Sequence, residues 1–252
     1  MSLPSDPSPL GPMLCKLQRW QALDAADCAA VLGLPHVMRS LTAGQYVVWD
    51  GDRPQYSGLL VSGFAYRHKI AGSGARQIVS VHMRGDVVDL HNSMLGIADH
   101  NVQMLTAGEI AMIPVEAIRE LVAARPAVGA ALWFETLVDG AIFREWIVNV
   151  GRRDARTRIA HLLCEIALRL EVAGLGERSA YEMPMTQEQL SDAVALTPVH
   201  VNRMLMALGA DGLIRRSQRH IAVADWDALA RVGDFDARYL HLDGRRAQPV
   251  PA

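Results

Sequence analysis

Between residues 44 and 113 no stretch of this chain can stay helical for long. Short runs of β-formers (Val47-Val48-Trp49, Leu59-Leu60-Val61, Phe64 to Ile70, Ile78 to Val81) are each stopped by a glycine turn. The stops are Gly51-Asp52, Gly63, Gly72-Ser73-Gly74 and Gly85-Asp86. Strands of this length, interrupted this often, specify a small antiparallel roll or barrel. The segment "VQMLTAGEIAMIPVEAI" supplies its closing strands. We assign the roll to residues 21–125, after a Ser/Pro/Gly-rich leader at 1–20 that is expected to be flexible.

Over residues 126–150 the period changes. "PAVGAALWFETLVDGAIFREWIVNV" is apolar around much of its circumference. A helix covering one roll would show a single narrower stripe, so this one is expected to be buried on two sides. Phe134, Leu137, Val138, Ala141 and Val148 are the candidate contacts with a second copy of the chain, an isologous dimer being the commonest use of such a helix. The competing reading places the helix wholly inside its own domain. No apolar stretch is expected to approach the roughly 20 residues of a membrane span.

Gly151 is the expected break into a third segment, residues 151–240, followed by a flexible tail at 241–252. Arg152, Arg153, Arg156 and Arg158 crowd the start of its first helix, the end where the helix dipole disfavours cations, which calls for an anionic neighbour or a solvated face. The formal net charge of the chain is −2, which rules out a wholesale cationic coat; residues 151–220 carry ten Lys+Arg against eight Asp+Glu. Cys15, Cys28 and Cys164 are scattered, without a CxxC pair, and fit reduced thiols in the cytoplasm.

"TQEQLSDAVALTPVHVNRML" carries the most specific signal. Thr186 and Gln189 form a capping box that starts one helix; Thr197 and Pro198 are the N-cap and first residue of the next. On that second helix Val201, Met204, Leu205 and Leu208 share a face at i, i+3, i+4 and i+7, leaving Val199, Asn202, Arg203 and Met206 outward. Arg reads guanine and Asn reads adenine by two-pronged contacts, while Val packs on a thymine methyl. These four are therefore the candidate base-reading residues in a DNA major groove. "LIRRSQRHIAV" then makes a hairpin after the turn at Asp211-Gly212. Arg215, Arg216 and Arg219 on it, with Gln187, Thr197 and His200, are the candidate phosphate contacts.

The order of a glycine-punctuated roll, a long apolar helix and a winged helix-turn-helix resembles the Crp/Fnr superfamily of bacterial transcription regulators. Its marks here are Gly44, Gly51, Gly63 and Gly85, the two Gly-Asp pairs, and "TQEQL" followed by "VNRML". The resemblance implies an α+β fold and a homodimer on a two-fold symmetric DNA site, with RNA polymerase as a further partner and no membrane association. It also implies an effector pocket at Asp89, Leu90, His91, Asn92, His100 and Asn101. Cyclic-nucleotide-binding members carry Gly-Glu and then Arg-Ser, where this chain has Asp89-Leu90 and His100-Asn101. Losing the arginine removes the charge-assisted phosphate contact, so cyclic AMP is set aside as effector. The amino-terminal cysteine cluster of iron–sulfur members is absent too. Val199 replaces the family's base-reading glutamate, and Ala195 stands where a turn glycine is common.

His82, His91 and His100 recur near Asp86, Asp89 and Asp99, without His-x-His or i, i+4 spacing. The plain reading is partly exposed histidines in turns, and neither a metal ligand nor a cofactor is assigned. Two other function classes remain to be weighed: a metal-dependent, cupin-like roll enzyme, and a nucleotide-sensing module that acts without DNA. No nucleophile–base pair, phosphate-cradling glycine loop or HExxH run supports the enzyme. The second class leaves the outward Arg203 and the arginine-rich hairpin without a purpose.

Overall fold

A computed structural model describes residues 8–242. They divide into two compact units, one taking the chain up to Arg67 together with Val81–Gly140, the other His68–Ser80 together with Ala141–Leu242.

From the amino-terminal side, helices α1 (Gly11–Trp20) and α2 (Ala25–Leu32) precede strands β1 (Val37–Leu41), β2 (Tyr46–Val48), β3 (Tyr56–Ser62), β4 (Ala65–Ile70) and β5 (Arg76–His82), with residues 68–80 of the last two belonging to the second unit. The short helix α3 (Asn92–Leu95), strands β6 (Asn101–Met104) and β7 (Gly108–Pro114) and helix α4 (Val115–Ala124) follow. The strands form two sheets ordered β1-β7-β3 and β2-β6-β4-β5, so the expected roll is present, with strand β1 lying upstream of the first turn glycine. Gly44, Gly51, Gly63 and Gly85 all adopt positive φ. At Gly63 the need is also spatial: a Cβ there would sit 2.6 Å from the Ala107 carbonyl oxygen.

Strand β3 explains why a Leu-Leu pair replaces alternation. Successive strand residues point to opposite faces. Leu60 joins Val48, Val88, Val102, Met104 and Ile110 inside the roll. Leu59 joins Ala111 and Ile113 against an apolar layer of Leu10, Met13, Leu14, Leu17, Val31, Ile118 and Leu132. That layer corrects the expectation of a flexible leader at 1–20. Leu10, Met13, Leu14 and Leu17 stand at i, i+3, i+4 and i+7, and burying each such side chain is worth roughly 1.5–3 kcal/mol. Residues 1–7 and almost all of the expected tail lie outside the described residues.

Helix α5 runs from Pro126 to Arg152, two residues beyond the expected end. By length and composition it could cross a membrane, which corrects the view that no stretch comes close. It nonetheless carries Asp139, bonded at 2.8 Å to the buried Arg67, and Glu135, bonded to Lys16. Trp133 is 69 % exposed and Ile147 68 %, with Leu137 and Val148 also exposed, so the helix is not enclosed by its own chain. The candidate contact set needs correcting in part: Val138 and Ala141 are buried within the chain, and Phe134 is half-buried with its ring stacked on Trp20 at 4.7 Å. Helical rotation puts 133, 137, 144, 147 and 148 on the open side instead.

The second unit holds α6 (Ala155–Val172), β8 (Ala180–Glu182), α7 (Gln187–Val194), α8 (Pro198–Ala210), β9 (Ile214–Ser217), β10 (His220–Val223), α9 (Trp226–Val232) and a 3-10 turn at Ala237–Leu240. Gly151 is not the break. Asp154 caps α6 by accepting from the Arg156 and Thr157 amides, so the chain turns at Arg153-Asp154. The anionic neighbours of the arginines are carboxylates of the same chain: Arg153 meets Glu145 at 2.6 Å and Asp234 at 3.1 Å, and Arg156 meets Asp211. A buried network joins Glu165 to the Trp146 indole at 2.9 Å, to Arg169 at 3.2 Å and to the Tyr239 hydroxyl at 2.8 Å.

Candidate nucleic-acid interface and effector pocket

Helix α7 starts on the capping box read from sequence: the Gln189 amide donates to the Thr186 hydroxyl at 3.2 Å and the Thr186 amide to Gln189 Oε1 at 2.8 Å. It ends at Ala195, whose φ of 54° puts a residue with a side chain in the left-handed region. Thr197 then caps α8 by accepting from the His200 amide at 3.3 Å. The Gln187 side chain donates to the Pro198 carbonyl at 3.3 Å and ties the two helix starts together.

On α8, Val201, Leu205 and Leu208 are buried and Met204 is half-buried, so the helix is fixed by the face the spacing named. Val199 is 81 % exposed and Met206 67 %, with Arg203 exposed between them. Asn202 is half-buried; its amide donates to Met206 Sδ at 3.7 Å and its oxygen accepts from Arg216 at 3.4 Å. The four candidate base readers therefore lie together on one open side of a rigidly seated helix.

The wing is a three-stranded sheet ordered β8-β10-β9; the sequence reading had two strands and missed β8. Arg215 and Arg216 are exposed on β9, and Arg216 also donates to the Gln218 carbonyl at 3.0 Å. Arg219 has a different task from the one expected. Its Nε donates to the Met183 carbonyl at 3.2 Å and an NH2 donates to the Pro184 carbonyl, bracing the hairpin to the segment that follows β8. Within this same unit Arg76 donates to Asp192 at 2.7 Å and Gln77 to the Ala193 carbonyl at 3.2 Å, both on α7.

The pocket residues named by position separate into two groups. Leu90 packs on the apolar layer, and Asn101 accepts from the Asp50 amide at 3.1 Å, so these two serve the scaffold. Asp89 is fully buried; one oxygen accepts from Ser57 at 2.7 Å and from the Gly58 amide at 3.0 Å, while the other has no partner among the described residues. Burial raises its pKa, against those hydrogen bonds and Arg67. Among the described residues, the buried Asn92 has no partner for either amide atom, and neither has Nε2 of His82 or of His100. The reading of His82 and His100 as partly exposed turn residues is thus corrected: both are buried, and only His91 is half-buried. Burial first, with Arg67 adding to it, pushes the pKa of His82 and His100 down, and that of His91 to about 4.

Arg67 is the residue the sequence reading missed. Strand β4 carries it into the interior, where it bonds Asp139 and, at 2.7 Å, the Val88 carbonyl. Nothing in "FAYRHKI" distinguishes it from a surface arginine, because its burial depends on a helix some 70 positions later.

Residues 38–125 match the cyclic nucleotide-binding domain family and residues 157–232 the Crp-like helix-turn-helix domain family. The transcriptional activator protein FnrL of Cereibacter sphaeroides is 31 % identical over 203 residues, covering 79 % of this chain and 81 % of that one. A probable transcriptional activator of Rhizobium leguminosarum is 26 % identical, over 77 % of this chain and 80 % of its own. Among solved structures, FixK2 of Bradyrhizobium japonicum superposes with a TM-score of 0.72 at 20 % identity, covering 79 % of this chain and 98 % of that one.

Proposed function

The chain belongs to the Crp/Fnr superfamily and is a DNA-binding transcription regulator of that type; from that premise we propose that it acts as a homodimer on a two-fold symmetric site. The observation that carries the proposal is the open face of α8, where Arg203 and Asn202 stand beside exposed Val199 and Met206. Each recognition helix enters a major groove, with half-sites centred about 34 Å apart, one helical turn. Arg203 takes a guanine, Asn202 an adenine edge and Val199 a thymine methyl. Arg215 and Arg216 hold phosphates, joined by Thr197 and His200 at the start of α8. Gln187 and Arg219 brace these elements.

The second copy docks on the open stripe of α5 formed by Trp133, Leu137, Ile147 and Val148. Self-association is the occupant favoured here, because one closed two-fold contact covers this stripe on both copies and pairs two recognition helices at once. The protein works in the cytoplasm, engages RNA polymerase rather than a membrane, and catalyses no reaction.

Cyclic AMP is not the effector in this reading. Where a cyclic phosphate needs an arginine, the chain offers His100-Asn101. The buried Arg67 is already held by Asp139 and Val88, and the unpartnered oxygen of Asp89 would repel a phosphate.

Selection of bound duplexes from a random pool tests the reading. An enriched motif with two-fold symmetry and half-sites one turn apart is expected. An unsymmetrical motif overturns the dimer, and no enrichment overturns unaided DNA recognition.

A further inference from the structure

The segment from residue 91 to 100 leaves the roll, makes the single turn α3 and returns as β6. Its two ends meet. His91, Asp99 and His100 place potential ligand atoms within 4.8 Å of one another, and the two imidazole rings lie 4.8 Å apart between centroids. Ligands sharing an ion at 2.0–2.2 Å stand roughly 3–4 Å apart, so a side-chain rotation closes the set without moving backbone.

We propose that His91, Asp99 and His100 bind one divalent transition-metal ion of the zinc, cobalt or nickel class, clamping the two ends of the 91–100 segment. Imidazole and carboxylate are the donors such ions take, and three protein ligands leave a coordination position open.

A second observation points the same way. His100 is 4 % exposed, and its Nδ1 lies 2.6 Å from Asp99 Oδ1, while its Nε2 is buried without a partner among the described residues. A ring nitrogen left bare in the interior is an unmet hydrogen-bonding need that a ligand removes. Asn92, next to His91, is buried with its whole amide unpartnered and faces the same shortage. Arg67 opposes a cation here, and its charge is matched by Asp139 at 2.8 Å. Asp99, 78 % exposed, gives the ion a route in from solvent. The clamp would order the exposed apolar residues Met94, Leu95 and Ile97 that lie between its ends.

The test uses the full chain, stripped with chelator and titrated with Zn²⁺ by calorimetry and with Co²⁺ by visible absorption. One ion per chain is expected, with a rise in melting temperature. Asp99→Asn, an isosteric change at an exposed side chain, should weaken binding about 10- to 100-fold and remove the thermal gain. His91→Ala should weaken it further. Binding that is undetectable at stoichiometric concentrations overturns the proposal. So does binding that survives Asp99→Asn and His91→Ala unchanged, or that disappears instead in Cys28→Ser. The readout involves no DNA, so its failure is distinct from failure of the recognition-helix reading.

Discussion

Two helices of this protein leave large apolar side chains in water, and they do so differently. On α8, Val199 and Met206 alternate with Arg203 and Asn202. On α5, Trp133, Leu137, Ile147 and Val148 line a stripe whose main interruption is Arg144. Isolated exposed apolar residues are ordinary, and a contiguous stripe is what marks an interface. The mixed face suits base edges, which offer hydrogen-bonding atoms beside a methyl group; the nearly unmixed one suits another protein surface.

Charging the α5 stripe is the harshest way to break that contrast. Leu137→Glu places a carboxylate in the proposed two-fold contact twice over, and an unpaired charge buried there should cost at least ~3 kcal/mol, more than 100-fold in dimer affinity. Sedimentation equilibrium would register it, and a variant that stays dimeric would remove α5 from the interface. A lesser effect is expected on α8. Arg203→Ala should cost about 1–3 kcal/mol on the selected duplex and relax preference at one base position. Equal losses on matched and scrambled DNA would make Arg203 a phosphate contact instead.

The wing sharpens the same comparison at smaller amplitude. Arg216→Ala should weaken all duplexes about evenly and reduce the salt slope by about 1, whereas Arg219→Ala should leave that slope unchanged because its guanidinium holds the Met183 and Pro184 carbonyls. The reverse outcome would exchange their roles. Smallest is Ala195→Gly, which relieves a positive φ and should raise stability by about 0.5–1 kcal/mol in chemical denaturation, with DNA preference intact. A loss of stability there would mean the turn gains more from a stiff residue than it loses to strain.

How far these parts were legible depends on the distance over which each is decided. The capping box at Thr186, the N-cap at Thr197 and the buried face of α8 were readable because their partners lie within eight residues. Most strands of the roll were readable from their glycine turns, while β1 and β8 were missed. Helix α1 was misread although its stripe was present: the Ser, Pro and Gly around it suggest a loose leader, and only packing against Ile113 and Leu132 makes it core. On α5 the apolar content was plain, but not which residues would be covered. Trp20 takes Phe134, and the fold hides Val138 and Ala141.

The sequence by itself therefore determined most of the elements, the fold they belong to, and the outward face of the recognition helix. Hydrogen bonds and periodicities of a few residues are written locally, and they hold whatever the rest of the chain does. Only the tertiary structure decided that Arg67 would sit inside opposite Asp139, and that His91, Asp99 and His100 would meet, with His100 Nε2 buried and without a partner among the described residues. Desolvation and ion pairing are set by what packs from elsewhere in the chain, and single-residue spacing carries no record of that.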